Sequence, residues 1–279
     1  MLAPALILLG IFVLWPMVYS AYLSFFDWSF YKDPAFVGMN NFRRVLTDPA
    51  FISSVGRGLL FAILVVPAQL VLAFIFASLV VGVGRRLASV LKVSIFIPTA
   101  ISTVIASIVF ILIYQYHGGV ANWMLSFFGI EPKAWLADTG LALPAMAAPA
   151  IWLGLGIAAL IMLSGLLDIP ISYYEAAEID GANWWQRTVN ITIPMMRNIL
   201  LYLTIAGFVA NVQQFELPLV LTNGGPQQST MLPNLLIFTH FRDDITAGYS
   251  IAAAFLLFIV MGSISALIFR FLNSAQGED

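Results

Sequence analysis

The sequence predicts an all-α, polytopic membrane protein with about six transmembrane helices. Three observations carry that class. Of the 279 residues, 61% are hydrophobic and only 9% are charged, and the mean hydropathy is +0.95. Soluble domains carry about 25% charge and about half apolar residues, so this chain lacks the polar material to cover a water-facing globule. The apolar residues also fall in six long continuous runs, without the alternation of an outer-membrane barrel. A soluble enzyme and a disordered chain are excluded. A net charge of −2 with no basic run longer than two residues excludes a nucleic-acid binder. Cysteine is absent, and His117 and His240 are too few and too far apart for a metal site. We therefore expect no catalytic residue, no metal and no cofactor bound by this chain.

A span needs about 20 apolar residues. The runs place spans at roughly 2–26, 57–81, 93–116, 141–167, 198–221 and 246–272. The first lacks the basic start and small-residue cleavage context of a signal peptide and is kept as a span. Of the loops, 27–56 is mixed, 82–92 is short and basic, 117–140 opens on Gly118-Gly119, and 222–245 holds Asn223-Gly224-Gly225-Pro226. A tail runs from Asn273 to Asp279. No internal repeat is visible, nor an inverted pair of broken helices of the kind secondary transporters use. Arg85, Arg86, Lys92, Arg187, Arg197 and Arg270 on one side balance Lys32, Arg43, Arg44, Arg57, Lys133 and Arg242 on the other. The positive-inside rule thus gives a tie. A basic segment before Met1 would break it, and the abrupt apolar start raises the expectation that one is missing or very short.

The most organised loop is 168–197. Ser172 followed by Glu175 reads as a capping box opening a helix. Gly181 suits the left-handed position that closes it. Asn183 with Gln186 opens a second short helix, and Pro194 breaks that pattern before the fifth span. Ala176 and Ala177 leave a small face that another protein can approach, rimmed by Glu175, Glu178 and Asp180. The residues equally allow an amphipathic hairpin lying on the membrane, with Trp184 and Trp185 in the interfacial belt.

The segment Glu175-Ala176-Ala177-x2-Asp180-Gly181-Ala182-x8-Ile191-x-Ile193-Pro194 resembles the EAA motif of permease subunits of bacterial ABC importers. The usual Leu before the proline is Ile193 here. Trp15-Pro16 in the first span, Phe36-Val37-Gly38-Met39-Asn40-Asn41-Phe42, Leu221-Thr222-Asn223-Gly224-Gly225-Pro226 and Gly248-Tyr249-Ser250 are similar to further segments of the carbohydrate-type permeases. The likeness is to the maltose/glycerol-phosphate branch and to the first permease of the pair, without the large periplasmic insertion of the maltose member.

That resemblance implies a type I ABC importer permease fold and a single transmembrane permease domain over 1–279. Residues 168–197 would be a cytoplasmic coupling loop, with Glu175, Ala176, Ala177, Asp180, Gly181 and Ala182 docking on an ATPase. It implies a bacterial inner-membrane location and four kinds of partner besides the lipid bilayer. These are a second permease, two ATPase subunits that hold ATP and Mg, an extracytoplasmic solute-binding protein and a sugar. No nucleic acid is expected. The permease itself hydrolyses nothing, and the chain has no P-loop.

A solute path requires polar groups inside spans, where they are costly unless they face a cavity or a partner. Asn211 and Gln214, three residues apart, share a helical face. Phe208 and Phe215 stand near them for a sugar's C–H face. The resemblance maps the path onto Asn211 and Gln214, with Gly154 and Ile157 as further lining positions. The maltose-type aromatic at 157 and Asn at 214 are replaced here. The alternative is that such amides tie helices together, which is how we read Gln69, Ser107, Ser164 and Gln213. Glu216 is the one acid near a span centre; the sequence equally allows it to sit at the outer headgroups and pair with Arg242, and its role is left open. The rival function is an ion-coupled secondary sugar transporter, for which Glu216 would be the sole intramembrane acid and the EAA loop would have no role. A membrane-embedded enzyme or a channel would need a nucleophile, a metal constellation or a filter that the sequence lacks.

Overall fold

A computed structural model describes residues 3–29, 32–243 and 247–274. The tail beyond Ser274 and any segment before Met1 lie outside the described residues. Among the described residues five helices are long and apolar enough to cross a bilayer, or six if a pair of helices bent by 96° is counted as one span.

Helix α1 (Ala3–Leu23) contains a π turn at Gly10–Leu14 and leans on the last span, with 6% of its most apolar window buried. The expected mixed loop 27–56 is in fact built. Strands β1 (Phe26–Ser29) and β2 (Lys32–Phe36) form an antiparallel hairpin with Phe26 opposite Phe36, followed by helix α2 (Asn40–Thr47). Buried Asn41 donates from Nδ2 to the carbonyls of Ser24 and Phe26, both at 2.9 Å, and so ties α2 to the start of the hairpin.

Helix α3 (Pro49–Val81) starts eight residues before the expected span because Asp48 caps it, accepting from Ala50 N at 2.8 Å. At about 1.5 Å per residue its 33 residues reach about 50 Å, well beyond a ~30 Å hydrocarbon core. It is the central post of the fold. Helix α7 (Ala142–Leu167) and helix α10 (Arg197–Val212) pack along it. Ala73 and Ala77 of α3 face Ala158 and Ala159 of α7, the small-residue contact that lets membrane helices approach closely.

The third span departs most from expectation. It is two helices, α4 (Arg85–Phe96) and α5 (Thr103–Ile113), joined by a 3-10 turn at Ile97–Ala100 and bent by 96°. Pro98 removes a backbone donor within that turn. Ser102, whose hydroxyl accepts from Val104 N, then starts a new helix. Broken spans of this kind are tolerated where backbone lines a cavity or is buried in protein. Gly156 of α7 lies against the elbow: a Cβ there would sit 2.5 Å from Ile95 O and 2.6 Å from Thr99 Oγ1.

Helix α6 (Val120–Ser126) follows on the outer side, taken as the side opposite the 168–197 loop. That loop contains α8 (Ile171–Ile179) and α9 (Trp184–Arg187). Beyond α10 the fifth span breaks at 213–215 and resumes as α11 (Glu216–Leu221). Helix α12 (Pro233–Asp243) and the last span, α13 (Ala247–Ser274), complete the chain. Glu216 is exposed, and Arg242 pairs with Asp243 at 2.6 Å rather than with Glu216. Adjacent residues on one helix end reach each other without crossing the groove to α11. That bond, together with the charge of Arg242, holds the Asp243 carboxyl below its ordinary range.

Candidate functional site: a helical loop and a polar cavity

In the 168–197 loop, α8 begins two residues earlier than the capping-box reading requires. Pro170 is its N-cap and no side chain caps it. Ser172 therefore lies inside the first turn, and Glu175 projects from an exposed face rather than bonding back. The other end behaves as expected. Gly181 has φ +75°; its N–H donates to Glu178 O at 3.1 Å, and Ala182 N–H donates to Ala177 O at 2.9 Å. These two bonds close a Schellman motif. Asn183 and Gln186 form the reciprocal capping box at 2.9 and 2.8 Å. Pro194 does not end the helix: a π turn at Thr188–Thr192 precedes it, and the chain turns at Met196 instead. The wider π turn accommodates a residue without an N–H donor.

Two contacts hold the pair of short helices to each other and to the bundle. Arg187 lies 3.7 Å from Glu178, and the hydroxyls of Tyr174 and Thr192 are 2.9 Å apart. Glu175, Ala176, Asp180 and Gly181 are exposed, and Ala177 and Ala182 half-buried. Ile179 is 87% exposed and Ile171 72%, so the loop presents apolar side chains beside its acids.

A cavity of about 390 Å³ lies among α3, the elbow of the third span, α7 and α10. Gly154, Ile157, Asn211 and Gln214 all line it. The route differs from the expected shared helical face, since α10 ends at Val212 and Gln214 stands in the break. Asn211 Nδ2 donates to Gly207 O at 2.8 Å, leaving its oxygen as an acceptor. Gln214 Oε1 accepts from Phe215 N at 3.0 Å, leaving its NH2 as a donor.

Four further polar side chains line the cavity, Thr103 at the start of α5 among them. Gln69, which the sequence reading assigned to helix bridging, reaches Gly154 so closely that any Cβ there would overlap its amide. Thr99 at the elbow has a buried hydroxyl without a hydrogen-bond partner. Tyr202 supplies the aromatic ring. Phe208 and Phe215, the rings expected there, point elsewhere: Phe208 packs near Val212 and Met261, and Phe215 meets Phe238 edge-on at 4.8 Å. The signal for Tyr202 was present in the sequence, since steps of four from Gln214 pass through Ala210 and Ala206 to reach it. Among the described residues the lining contains no Asp, Glu, Lys, Arg or His. Gln213 is outside it and accepts at its carbonyl from Asn234.

Residues 69–276 match the family described as "Binding-protein-dependent transport system inner membrane component". The chain is 30% identical over 98% of its length to the sulfoquinovosyl glycerol transport system permease protein SmoG of Agrobacterium fabrum, covering 89% of that protein. It is 30% identical over 97% of its length to the trehalose/maltose transport system permease protein MalF of Thermococcus litoralis, covering 91% of it. The osmoprotective compounds uptake permease protein GgtC of Synechocystis is 34% identical, with 92% of each chain covered. Among solved structures, a chain of a bacterial ABC transporter involved in import of the acidic polysaccharide alginate superposes with a TM-score of 0.84 at 21% identity, over 99% of this chain and 94% of that one.

Proposed function

The chain belongs to the family of binding-protein-dependent transport system inner membrane components and is a membrane-spanning permease subunit of an ABC importer, and from this premise we propose that it carries an uncharged sugar or sugar derivative. The observation that supports this solute is the cavity, in which Asn211, Gln214, Gln69 and Thr99 offer donors and acceptors beside the ring of Tyr202. Hydroxyl groups need both kinds of partner, and the ring suits a C–H face. The absence of fixed charge in the lining favours a neutral solute. The printed cargoes of the SmoG and MalF relatives are both sugar-based, which agrees with a sugar; the trehalose and maltose of the latter are uncharged, whereas the sulfonate of sulfoquinovosyl glycerol is not, so neutrality rests on the lining alone.

In this reading 1–279 is a single permease domain in a bacterial inner membrane. A second permease supplies the other wall of the path, giving a heterodimer. Two separate ATPase chains hold ATP and Mg, and a solute-binding protein delivers sugar from outside. The 168–197 loop docks on an ATPase through Glu175, Ala176, Ala177, Asp180, Gly181 and Ala182. Its exposed Ile179 and rigid Gly turn suit a surface that transmits motion. ATP would shift the balance between inward- and outward-open states because each makes different contacts.

The test is uptake of radiolabelled neutral sugars into vesicles carrying the assembled transporter and its binding protein. Uptake should require ATP inside and survive a protonophore. Loss of uptake on collapsing the proton gradient, with ATP still supplied, would favour an ion-coupled carrier instead.

A further inference from the structure

Residues 118–130, between the third and fourth spans, contain no charged side chain. They fold as α6 and the turn after it, and they expose an unusual set of side chains. Phe128 is 80% exposed and Phe127 68%, with Trp123 and Met124 also exposed. The rings of Trp123 and Phe127 pack edge to face at 4.6 Å.

This patch is held in place rather than loose. Asn122, buried on the opposite side of α6, donates from Nδ2 to the carbonyls of Gln115, Tyr116 and Lys133, at 3.3, 3.1 and 3.0 Å. Its Oδ1 accepts from Lys133 N at 3.0 Å and Trp135 Nε1 at 2.9 Å. One side chain thereby closes the loop on both flanks. Nearby, Tyr114 donates to Ala145 O at 2.8 Å and joins the outer end of α5 to the start of α7.

The patch continues an exposed apolar stripe on the bent third span. Ile105, Ile108 and Leu112 of α5 are each half-exposed or more, at the i, i+3, i+7 spacing of one helical face. Exposed Tyr116 extends the stripe past the end of the span to Trp123 and Phe128. Aromatic side chains concentrate at the level of lipid headgroups, and amphipathic segments bury an apolar face about 5–10 Å into that boundary.

We propose that α6 and its following turn form an interfacial foot, seated in the outer leaflet and holding the outer end of the broken third span at a fixed depth. Its occupant is the lipid surface itself, bound by apolar burial and not by headgroup charge. Glu131 and Lys133 mark the rim that stays in water.

Because the chain contains no cysteine, one introduced cysteine is its only labelling site. Nitroxides are attached at Phe128→Cys, at Ile108→Cys as a lipid reference and at Glu131→Cys as a water reference. The assembled transporter is placed in vesicles of neutral or partly anionic lipid, and partner-chain background is subtracted with the unsubstituted chain. Collisions with oxygen report lipid, and collisions with a water-soluble nickel chelate report solvent. At 128 the oxygen-to-nickel ratio should resemble that at 108, exceed that at 131 and be equal in both lipid compositions. Nickel-dominated relaxation at 128 would mean that the patch faces water. Low access to both would mean that protein covers it. Dependence on anionic lipid would mean that charge holds it. Each of these three results overturns the proposal.

Discussion

Gly181 closes α8 in the left-handed region, and a Cβ added there meets nothing within 4 Å. Any substitution effect at this position is therefore torsional before it is steric. A non-glycine residue in this region costs about 1–2 kcal/mol, and Asn is one of the few that visits it routinely. For Gly181→Val that amount lowers the population of the closed turn by a factor of about 5–30, and Val's branched Cβ adds to the penalty. The two Schellman bonds from Gly181 and Ala182 then open, and α8 and α9 lose their fixed angle. The assay is ATP hydrolysis by the assembled transporter, stimulated by loaded binding protein, for Gly181→Val beside Gly181→Asn. Val and Asn add side chains of similar size to the same exposed surface. Gly181→Val should lose stimulation while Gly181→Asn keeps most of it. Equal loss in both variants would assign the effect to steric exclusion of the docked partner. Normal stimulation in Gly181→Val would show that the rigid turn has no part in coupling. Either result refutes the reasoning.

Three other outcomes are expected. Gly156→Ala places a Cβ 2.5 Å from Ile95 O, about 0.9 Å inside the 3.4 Å at which ordinary contact begins, so the elbow must retreat. Overpacking of this kind costs about 1–3 kcal/mol, and both the melting temperature of the purified transporter and its uptake rate should fall. Asn211→Ala and Gln214→Ala should leave assembly and melting intact but weaken uptake in a sugar-dependent way, by about 0.5–1.5 kcal/mol per lost hydrogen bond. Asn211→Asp should be worse than Ala because it introduces a charge into a cavity without a counter-ion. Asn122→Ala strands several buried backbone groups at about 1–3 kcal/mol, and hydrogen exchange across 116–135 should accelerate while α3 and α7 stay protected.

The spans were legible because a bilayer imposes one simple demand, about 20 apolar residues in a row, and 57–81, 141–167 and 198–221 meet it openly. The breaks were less legible. Ile97-Pro98-Thr99-Ala100 is apolar enough to pass as mid-helix; it is the contact with Gly156, 56 or more residues away in sequence, that gives the elbow its place. The Gly181 turn and the Asn183–Gln186 box were readable because both are local. Ser172 misled because Pro170 can begin a helix without a side-chain cap. In the cavity, Asn211 and Gln214 stood out as amides in an apolar run. Gln69 did not, since its meeting with Gly154 depends on how α3 and α7 pack. Tyr202 lay on the same stripe as Gln214, and four-residue steps back from the amide lead to it.

A cavity whose lining, among the described residues, has no Asp, Glu, Lys, Arg or His also has an electrical meaning. Moving one elementary charge through the membrane field involves about 2.3 kcal/mol per 100 mV. An uncharged solute passing walls of amides, hydroxyls and one phenol moves no such charge. Its passage neither draws on the membrane potential nor opposes it. On the proposal of a neutral solute, the membrane voltage leaves this path indifferent, and the direction of movement is set by ATP and not by polarisation.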